Sequence, residues 1–146
     1  MRIREFRDSD WDEWRRMGQA LLPDEDHEDD EVEMRALLAR ADAAVFLAER
    51  PDGSVCGYVE VGMRGYADGC RSSPVPYIEA WYVDPDVRRR GYGRALLAAA
   101  EKWARGRGYT EIASDALLDN AVSLEAHTRS GYEVVERIVQ FRKSLE

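Results

Sequence analysis

The passage that most narrows what this chain can fold into is Val83-Asp-Pro-Asp-Val-Arg88-Arg89-Arg90-Gly91-Tyr92-Gly93-Arg94-Ala95-Leu96-Leu97. A strand-forming run, Tyr77–Val83, stops at Asp84-Pro85; a short arginine-rich turn follows, and a helical pattern opens at two glycines. The first N–H groups of a helix lack intrahelical acceptors and carry partial positive charge, so such a strand–turn–helix can hold a phosphate. Glycines let the backbone approach the ligand, and Arg88, Arg89, Arg90 and Arg94 add forked donors. Four arginines in seven residues are out of step with a chain whose 21 Lys+Arg against 29 Asp+Glu leave a net charge of −8. The plain alternative is a solvated basic helix start with Arg94 near acidic neighbours. Two familiar phosphate loops are excluded: no Gly-Lys-Ser/Thr marks a P-loop, and no early G-x-G-x-x-G marks a dinucleotide site.

At 146 residues the chain is expected to form one domain, 1–146, able to bury a core without staples. No apolar run approaches the roughly 18 residues of a spanning helix. The opening Met1-Arg-Ile-Arg-Glu-Phe has no secretory h-region. Cys56 and Cys70 do not make a disulfide framework, which favours a reduced, cytoplasmic compartment. A pI near 4.9 argues against nucleic-acid or membrane partners and favours cationic ones.

Along the chain, Arg2–Phe6 alternates like a short strand, and Asp8-Ser9-Asp10 offers an N-cap for a helix with Trp11, Trp14, Met17, Leu21 and Leu22 on one face. Pro23 ends it, and seven carboxylates with His27 fill Asp24–Glu31. A second helix is expected from Val32 to Arg40 with Met34, Leu37 and Leu38 inward. Ala44–Glu49 and Val55–Met63 read as a hairpin across Pro51-Asp52-Gly53, and Gly65–Pro76 as a loop. Helices are expected from Gly91 to Arg107 and over Ala121–Arg129, with strands at Tyr109–Ser114 and Tyr132–Lys143. The class is therefore α+β around a mostly antiparallel sheet.

Arg88-x-x-Gly91-x-Gly93 after Asp84-Pro85 resembles the acetyl-CoA pyrophosphate motif of the GNAT N-acetyltransferase superfamily, and Asn120-x6-His127-x3-Gly131-Tyr132 resembles its second motif. The order of elements is similar to the GNAT fold over essentially the whole chain. The resemblance implies a mixed, mostly antiparallel sheet flanked by helices, in which Tyr77–Val83 and Tyr109–Asp115 splay apart to admit pantetheine. It implies acetyl-CoA as cosubstrate, held by Arg88 to Arg94 including Tyr92, by backbone at Tyr82 and Val83, and by Asn120 and His127. A strand N–H, that of Val83, would face the thioester oxygen.

An amine attacking a thioester must first lose a proton, and a carboxylate can take it directly or through water. Glu79 and Asp115 flank the expected splay and are the candidates, although strand alternation leaves the facing of Glu79 open. His127 stands where many superfamily members have a tyrosine acid; it either protonates the departing thiolate or packs beside the sulfur. No metal site is expected, since His27 and His127 lack ligand spacing.

Asp24, Glu25 and Asp26 lie between helices that border the acceptor site in GNAT proteins, so they are candidate substrate contacts for a polycationic amine. Trp11, Trp14 and Tyr66 offer flat surface for a sugar, although both tryptophans fit the core equally well. The segments Tyr66–Val75, Tyr77–Val83, Ile112–Asp115 and Gly131–Lys143 resemble one subgroup of the aminoglycoside 6′-N-acetyltransferases, which also carries histidine at the position of His127. That resemblance implies an antibiotic-resistance enzyme in which Tyr66, Glu79, Asp115 and Glu136 contact the aminoglycoside, and a homodimer joined through C-terminal strands. The rivals are acetylation of polyamines or another small cationic amine, and a non-catalytic acyl-CoA-binding module.

Overall fold

The computed structural model describes residues 1–146. Its elements in chain order are β1 (Arg2–Glu5), a 3-10 turn (Asp8–Asp10), α1 (Trp11–Leu21), α2 (Asp30–Ala39), β2 (Ala44–Glu49), β3 (Val55–Arg64), β4 (Val75–Val83), a second 3-10 turn (Pro85–Val87), α3 (Tyr92–Gly106) and α4 (Ala121–Arg129). The four strands form one antiparallel sheet in the order β1-β2-β3-β4.

The near-continuous apolar run of β3 follows from its place in the middle, covered on both faces. Cys56, Val59 and Val61, with Ala48 and Ile78, pack against Leu96, Leu97 and Ala100 of α3. On the other face Tyr58, Val45, Leu47 and Tyr82 pack against Trp14 and Met17 of α1 and Met34 of α2. The alanine- and leucine-rich α3 buries one stripe, Leu96, Leu97, Ala100 and Ala104, and leaves Arg94 and Arg105 outside.

One irregularity positions the site. Glu60 pairs with Ala80 but Val61 pairs with Ile78, so Glu79 is an extra, bulged residue in β4. The bulge sends Ile78 to the α3 face and Ala80 to the α1–α2 face, which uninterrupted alternation could not do.

Several expectations are corrected. Tyr109–Ser114 makes no regular strand: Ala113 alone bridges Tyr77 in parallel, through Ile78 N–H to Ala113 O at 2.8 Å and Ala113 N–H to Pro76 O at 2.9 Å. Tyr132–Lys143 forms no strand either, and residues 133–146 make no backbone–backbone hydrogen bond. Its alternating pattern needs a sheet edge, and this chain offers none there; Val134, Ile138, Val139 and Phe141 stay exposed. Leu22 and Leu38 also lie outside, because α1 ends before the first and the second sits off the buried stripe of α2. Asp10 does not cap α1 with its side chain. It is buried, accepting from the Arg7 N–H at 2.7 Å and from both Arg4 Nη atoms at 2.8 and 2.9 Å.

At the end of β4, buried Asp84 accepts from Arg16 of α1 (2.9 and 3.0 Å) and from Arg50 of the β2–β3 hairpin (3.0 Å). Arg50 also grips Asp86 at 2.8 Å, so the turn entering α3 is fastened to two other parts of the molecule. Burial pushes the Asp84 carboxyl up, but Arg16 and Arg50 outweigh it and hold it below the usual carboxylate value. A depressed folded pKa contributes stability that is present above the unfolded value, near 3.9, and is lost as pH falls through the folded one. Asp84→Ala is expected to cost about 2 kcal/mol in urea unfolding at pH 7, less than for a fully enclosed pair. The reduction reflects Arg16, whose side chain is 44% exposed and so gains less from the pairing. The difference from the wild type should shrink as pH falls below about 4.

Candidate active site

The helix tip has the form the sequence implied. Gly91 precedes α3 at φ 89°, a conformation that side chains resist, and no side chain caps the helix. The first closing bond is Ala95 N–H to Gly91 O at 3.0 Å, which leaves the N–H groups of Tyr92, Gly93 and Arg94 directed outward. The Tyr92 side chain is buried under the sheet, so its contribution to a ligand is its N–H. Gly93 has a second reason to be glycine: a Cβ there would lie 3.1 Å from the Trp81 ring, whose Nε1–H donates to Gly93 O at 3.1 Å.

None of Arg88, Arg89, Arg90 and Arg94 forms an ion pair, although arginines elsewhere in the chain pair readily with carboxylates. Arg88 donates to Val83 O at 2.8 Å and Arg94 to the carbonyl of Arg129, while Arg89 and Arg90 point to solvent. The turn is solvated, as in the plain alternative, but Arg94 bonds a carbonyl and no acidic neighbour. An uncapped helix tip with uncompensated guanidinium groups fits a diphosphate.

Beside the tip the sheet opens. The backbone of β4 bonds the 109–115 segment only through Pro76, Ile78 and Ala113. Asp84 N–H bonds Cys56 O at 2.7 Å, so antiparallel alternation turns Tyr82 and Ala80 toward β3 and leaves the backbone of Trp81 and Val83 facing the gap. The Val83 backbone therefore faces the gap, whereas that of Tyr82 is spent on β3 and its side chain is buried in the core, with Trp81 supplying the second open group.

On the α3 side of the gap, His127 Nδ1 bonds the Ser123 carbonyl at 2.7 Å and Nε2 meets Ser114 Oγ at 2.8 Å. Its ring stands edge-on to Trp81 at 5.0 Å and to Tyr132 at 5.7 Å. Both nitrogens are committed, which favours packing over proton delivery among the two roles left open. Asn120 accepts from Ser123 N–H at 3.1 Å and so caps α4 with its side-chain oxygen.

At the apex the carboxylates are linked. Arg64 holds Glu79 through two bonds of 2.9 and 2.7 Å, and its guanidinium lies 3.6 Å from the Tyr77 ring centroid. The Tyr77 hydroxyl donates to Asp115 at 2.5 Å. Burial, followed by the hydrogen bond to Asp115, pushes the Tyr77 pKa well up. Tyr66 donates to Asp68 at 2.8 Å, a bond that raises its pKa. Asp24, Glu25 and Asp26 are exposed, and no hydrogen bond or ion pair joins them to Glu79 or Asp115. A carboxyl that the sequence reading passed over, Glu60, sits inside this region with Trp14 Nε1–H donating to it at 2.9 Å. The signal was available: one acid within Val55-Cys-Gly-Tyr-Val-Glu60-Val, a strand otherwise apolar.

An uncapped, cationic helix tip beside a gap between two parallel segments, with acids at its apex, defines a site for moving an acyl group from a diphosphate-bearing carrier to an amine. The chain belongs to the acetyltransferase (GNAT) family, whose model matches residues 3–132. It is an N-acetyltransferase with acetyl-CoA as cosubstrate. It is similar to the aminoglycoside N(6′)-acetyltransferase type 1 of Klebsiella aerogenes, 41% identical over 98% of this chain and 96% of that protein. Among solved structures, the apo aminoglycoside antibiotic 6′-N-acetyltransferase AAC(6′)-IG of Acinetobacter haemolyticus superposes with a TM-score of 0.91, at 33% identity over 100% of both chains. AAC(6′)-Iy in complex with the bisubstrate analog CoA-S-monomethyl-acetylneamine gives 0.90 at 31% identity, over 98% of this chain and 97% of that one.

The acidic α1–α2 loop carries a pH-dependent clasp. His27 Nδ1 lies 2.6 Å from Asp30 and Nε2 lies 2.7 Å from the Leu22 carbonyl, two partners that only accept, so the ring carries both protons. The Asp30 hydrogen bond, then that to Leu22, raise its pKa, with the charges of Asp30 and Glu25 adding to the shift. A raised folded pKa contributes stability that is full below the unfolded value of about 6.5 and is lost as pH rises through the folded one. The melting temperature of the wild type should therefore exceed that of His27→Gln at pH 6, and the gap should close on raising the pH through the His27 titration, followed by NMR of the ring protons.

Proposed function

We propose that this chain transfers the acetyl group of acetyl-CoA to the 6′-amine of aminoglycosides and so confers resistance to them, acting as one domain over residues 1–146. The observation that carries the reading is the near-full-length likeness to aminoglycoside N(6′)-acetyltransferases joined to an acceptor side lined with carboxylates. Bound acetyl-CoA supplies an activated thioester carbonyl. The helix tip and Arg88 to Arg94 hold its diphosphate, with Asn120 and His127 bordering the pantetheine arm. The Val83 N–H meets the negative charge that develops on the carbonyl oxygen. Glu79, fixed by Arg64, and Asp115, fixed by Tyr77, hold the cationic acceptor at the apex. Tyr66 and Glu136 border the outer ring, and Asp24, Glu25 and Asp26 add long-range attraction for a polycation.

The reading extends to assembly and place. The unpaired backbone and exposed apolar side chains of residues 133–146 support a homodimer in which this segment joins the partner's sheet. No helix is long and apolar enough to cross a membrane, and two free cysteines support a cytoplasmic enzyme.

Thiol release measured with two aminoglycosides that differ only in a 6′-amine or a 6′-hydroxyl should occur with the amine alone. Equal turnover would overturn the regiochemistry. Faster turnover of spermidine than of any aminoglycoside would favour the polyamine reading, and acetyl-CoA binding without transfer to any amine would favour a non-catalytic module. Arg88→Ala with Arg90→Ala should raise KM for acetyl-CoA about tenfold or more, the scale of lost charge-assisted bonds, and leave acceptor KM unchanged. Asp115→Asn should do the reverse.

A further inference from the structure

We propose that Glu60 of β3 is the carboxylate that receives the acceptor's ammonium and takes its proton, an inference that rests on the aminoglycoside reading and adds a residue to it. Glu60 projects on the α1–α2 face between its register neighbours Val45 and Ala80, beside the bulge at Glu79. Trp14 Nε1–H fixes Oε1 at 2.9 Å, while Oε2 has no protein partner and Glu60 enters no ion pair. The groups that act most strongly on it are neutral or acidic: Trp14 from α1, Asp30 and Glu33 from α2, and Glu79 from β4, the last already held by Arg64. A recessed carboxyl among anions, with no cation of its own, is completed by a cationic ligand.

The neighbouring acids are less free to accept a proton. Both oxygens of Glu79 are occupied by Arg64, and Asp115 already receives the Tyr77 hydroxyl. Asp115 also keeps one oxygen open, but it lies in the field of the Arg64 guanidinium, whereas Glu60 combines its open oxygen with no ion pair and a place under α1 and α2. Burial pushes its pKa up; the charges of Glu79, Asp30 and Glu33 push the same way, and only the Trp14 hydrogen bond opposes them. That direction makes the carboxylate a better proton acceptor. In the step itself one ammonium N–H bond breaks, and its proton joins Oε2 directly or through one water. The electron pair stays on nitrogen and forms the C–N bond to the carbonyl carbon. As the C–S bond breaks, a second proton leaves the nitrogen and, directly or through water, neutralises the departing thiolate, which leaves as the CoA thiol. Glu60 afterwards returns its proton to solvent.

Glu60→Gln tests this without removing the Trp14 hydrogen bond, since the amide oxygen can accept it. Because a raised carboxyl pKa means that ionisation in the folded state opposes folding above the unfolded value, the variant should melt no lower than the wild type at pH 7.5. Its affinity for acetyl-CoA, by calorimetry, should be unchanged. On a 6′-amino aminoglycoside its kcat/KM should fall about 100-fold or more, with loss of the acidic limb of the pH profile. Glu60→Asp, which withdraws the charge by one methylene, should keep that limb and lose less rate. Wild-type kcat/KM in Glu60→Gln, a fall with the acidic limb intact, or loss of the limb in Glu60→Asp would each overturn the proposal while leaving the aminoglycoside reading in place. A wild type that acetylates no aminoglycoside would overturn both.

Discussion

The β4 bulge is the constraint on which the rest of the site depends. A strand in regular alternation would place residues 78 and 80 on one face, but the extra residue Glu79 divides them. Ile78 then seals the α3 side, and its N–H bonds Ala113. Beyond the bulge, Trp81 and Val83 keep unspent backbone groups on the open edge. The same irregularity brings Glu79 out to Arg64 and sets Ala80, with no bulk of its own, opposite Glu60. One inserted residue thus ends the pairing of β4 with the 109–115 segment and starts both the acyl channel and the acidic apex.

The charge distribution then separates two tasks that need opposite potentials. Arg88, Arg89, Arg90 and Arg94 are kept clear of carboxylates, although acids outnumber basic residues by eight, 29 against 21. This separation is structural: nearby Asp84 and Asp86 are consumed by Arg16 and Arg50, so they anchor the turn without neutralising it. On the acceptor side, Glu60, Glu79, Asp30 and Glu33 lie near one another, and only Glu79 has a bidentate guanidinium partner there. The two mouths of the gap accordingly carry opposite potentials, which would suit a polyanionic carrier at one and a polycationic acceptor at the other.

Legibility from sequence tracked how local each feature is. The hairpin at Pro51-Asp52-Gly53, the α3 tip and the α4 span depend on nearby residues, and each forms within a residue or two of its expected place. The 109–115 and 132–143 segments alternate as strands do, yet a strand exists only against a neighbour; one finds a single bridge and the other none. Among candidate site residues, the placement of Val83 and the arginine turn was readable because the motif fixes backbone direction. The orientation of Glu79 was not, because a bulge breaks the period that such a reading assumes. The oddity of Glu60 in an apolar strand was legible, but its surroundings were not, because they form only when α1 and α2 close over it.

The tryptophans illustrate how tertiary context settles an ambiguous residue. Both Trp11 and Trp14 fit either a sugar platform or the core from spacing alone. In the fold Trp11 is edge-on to Phe6 at 5.2 Å and to Trp14 at 5.6 Å, with the Arg35 guanidinium 4.6 Å from its ring centroid, so its flat face is already taken. Trp14 is buried in the α1–α2 cluster, and its one polar atom goes to Glu60. Its N–H fixes one oxygen of the carboxyl and leaves the other without a protein partner. A residue that reads as core is therefore also what holds the proposed proton acceptor in place, and packing and catalysis share one side chain.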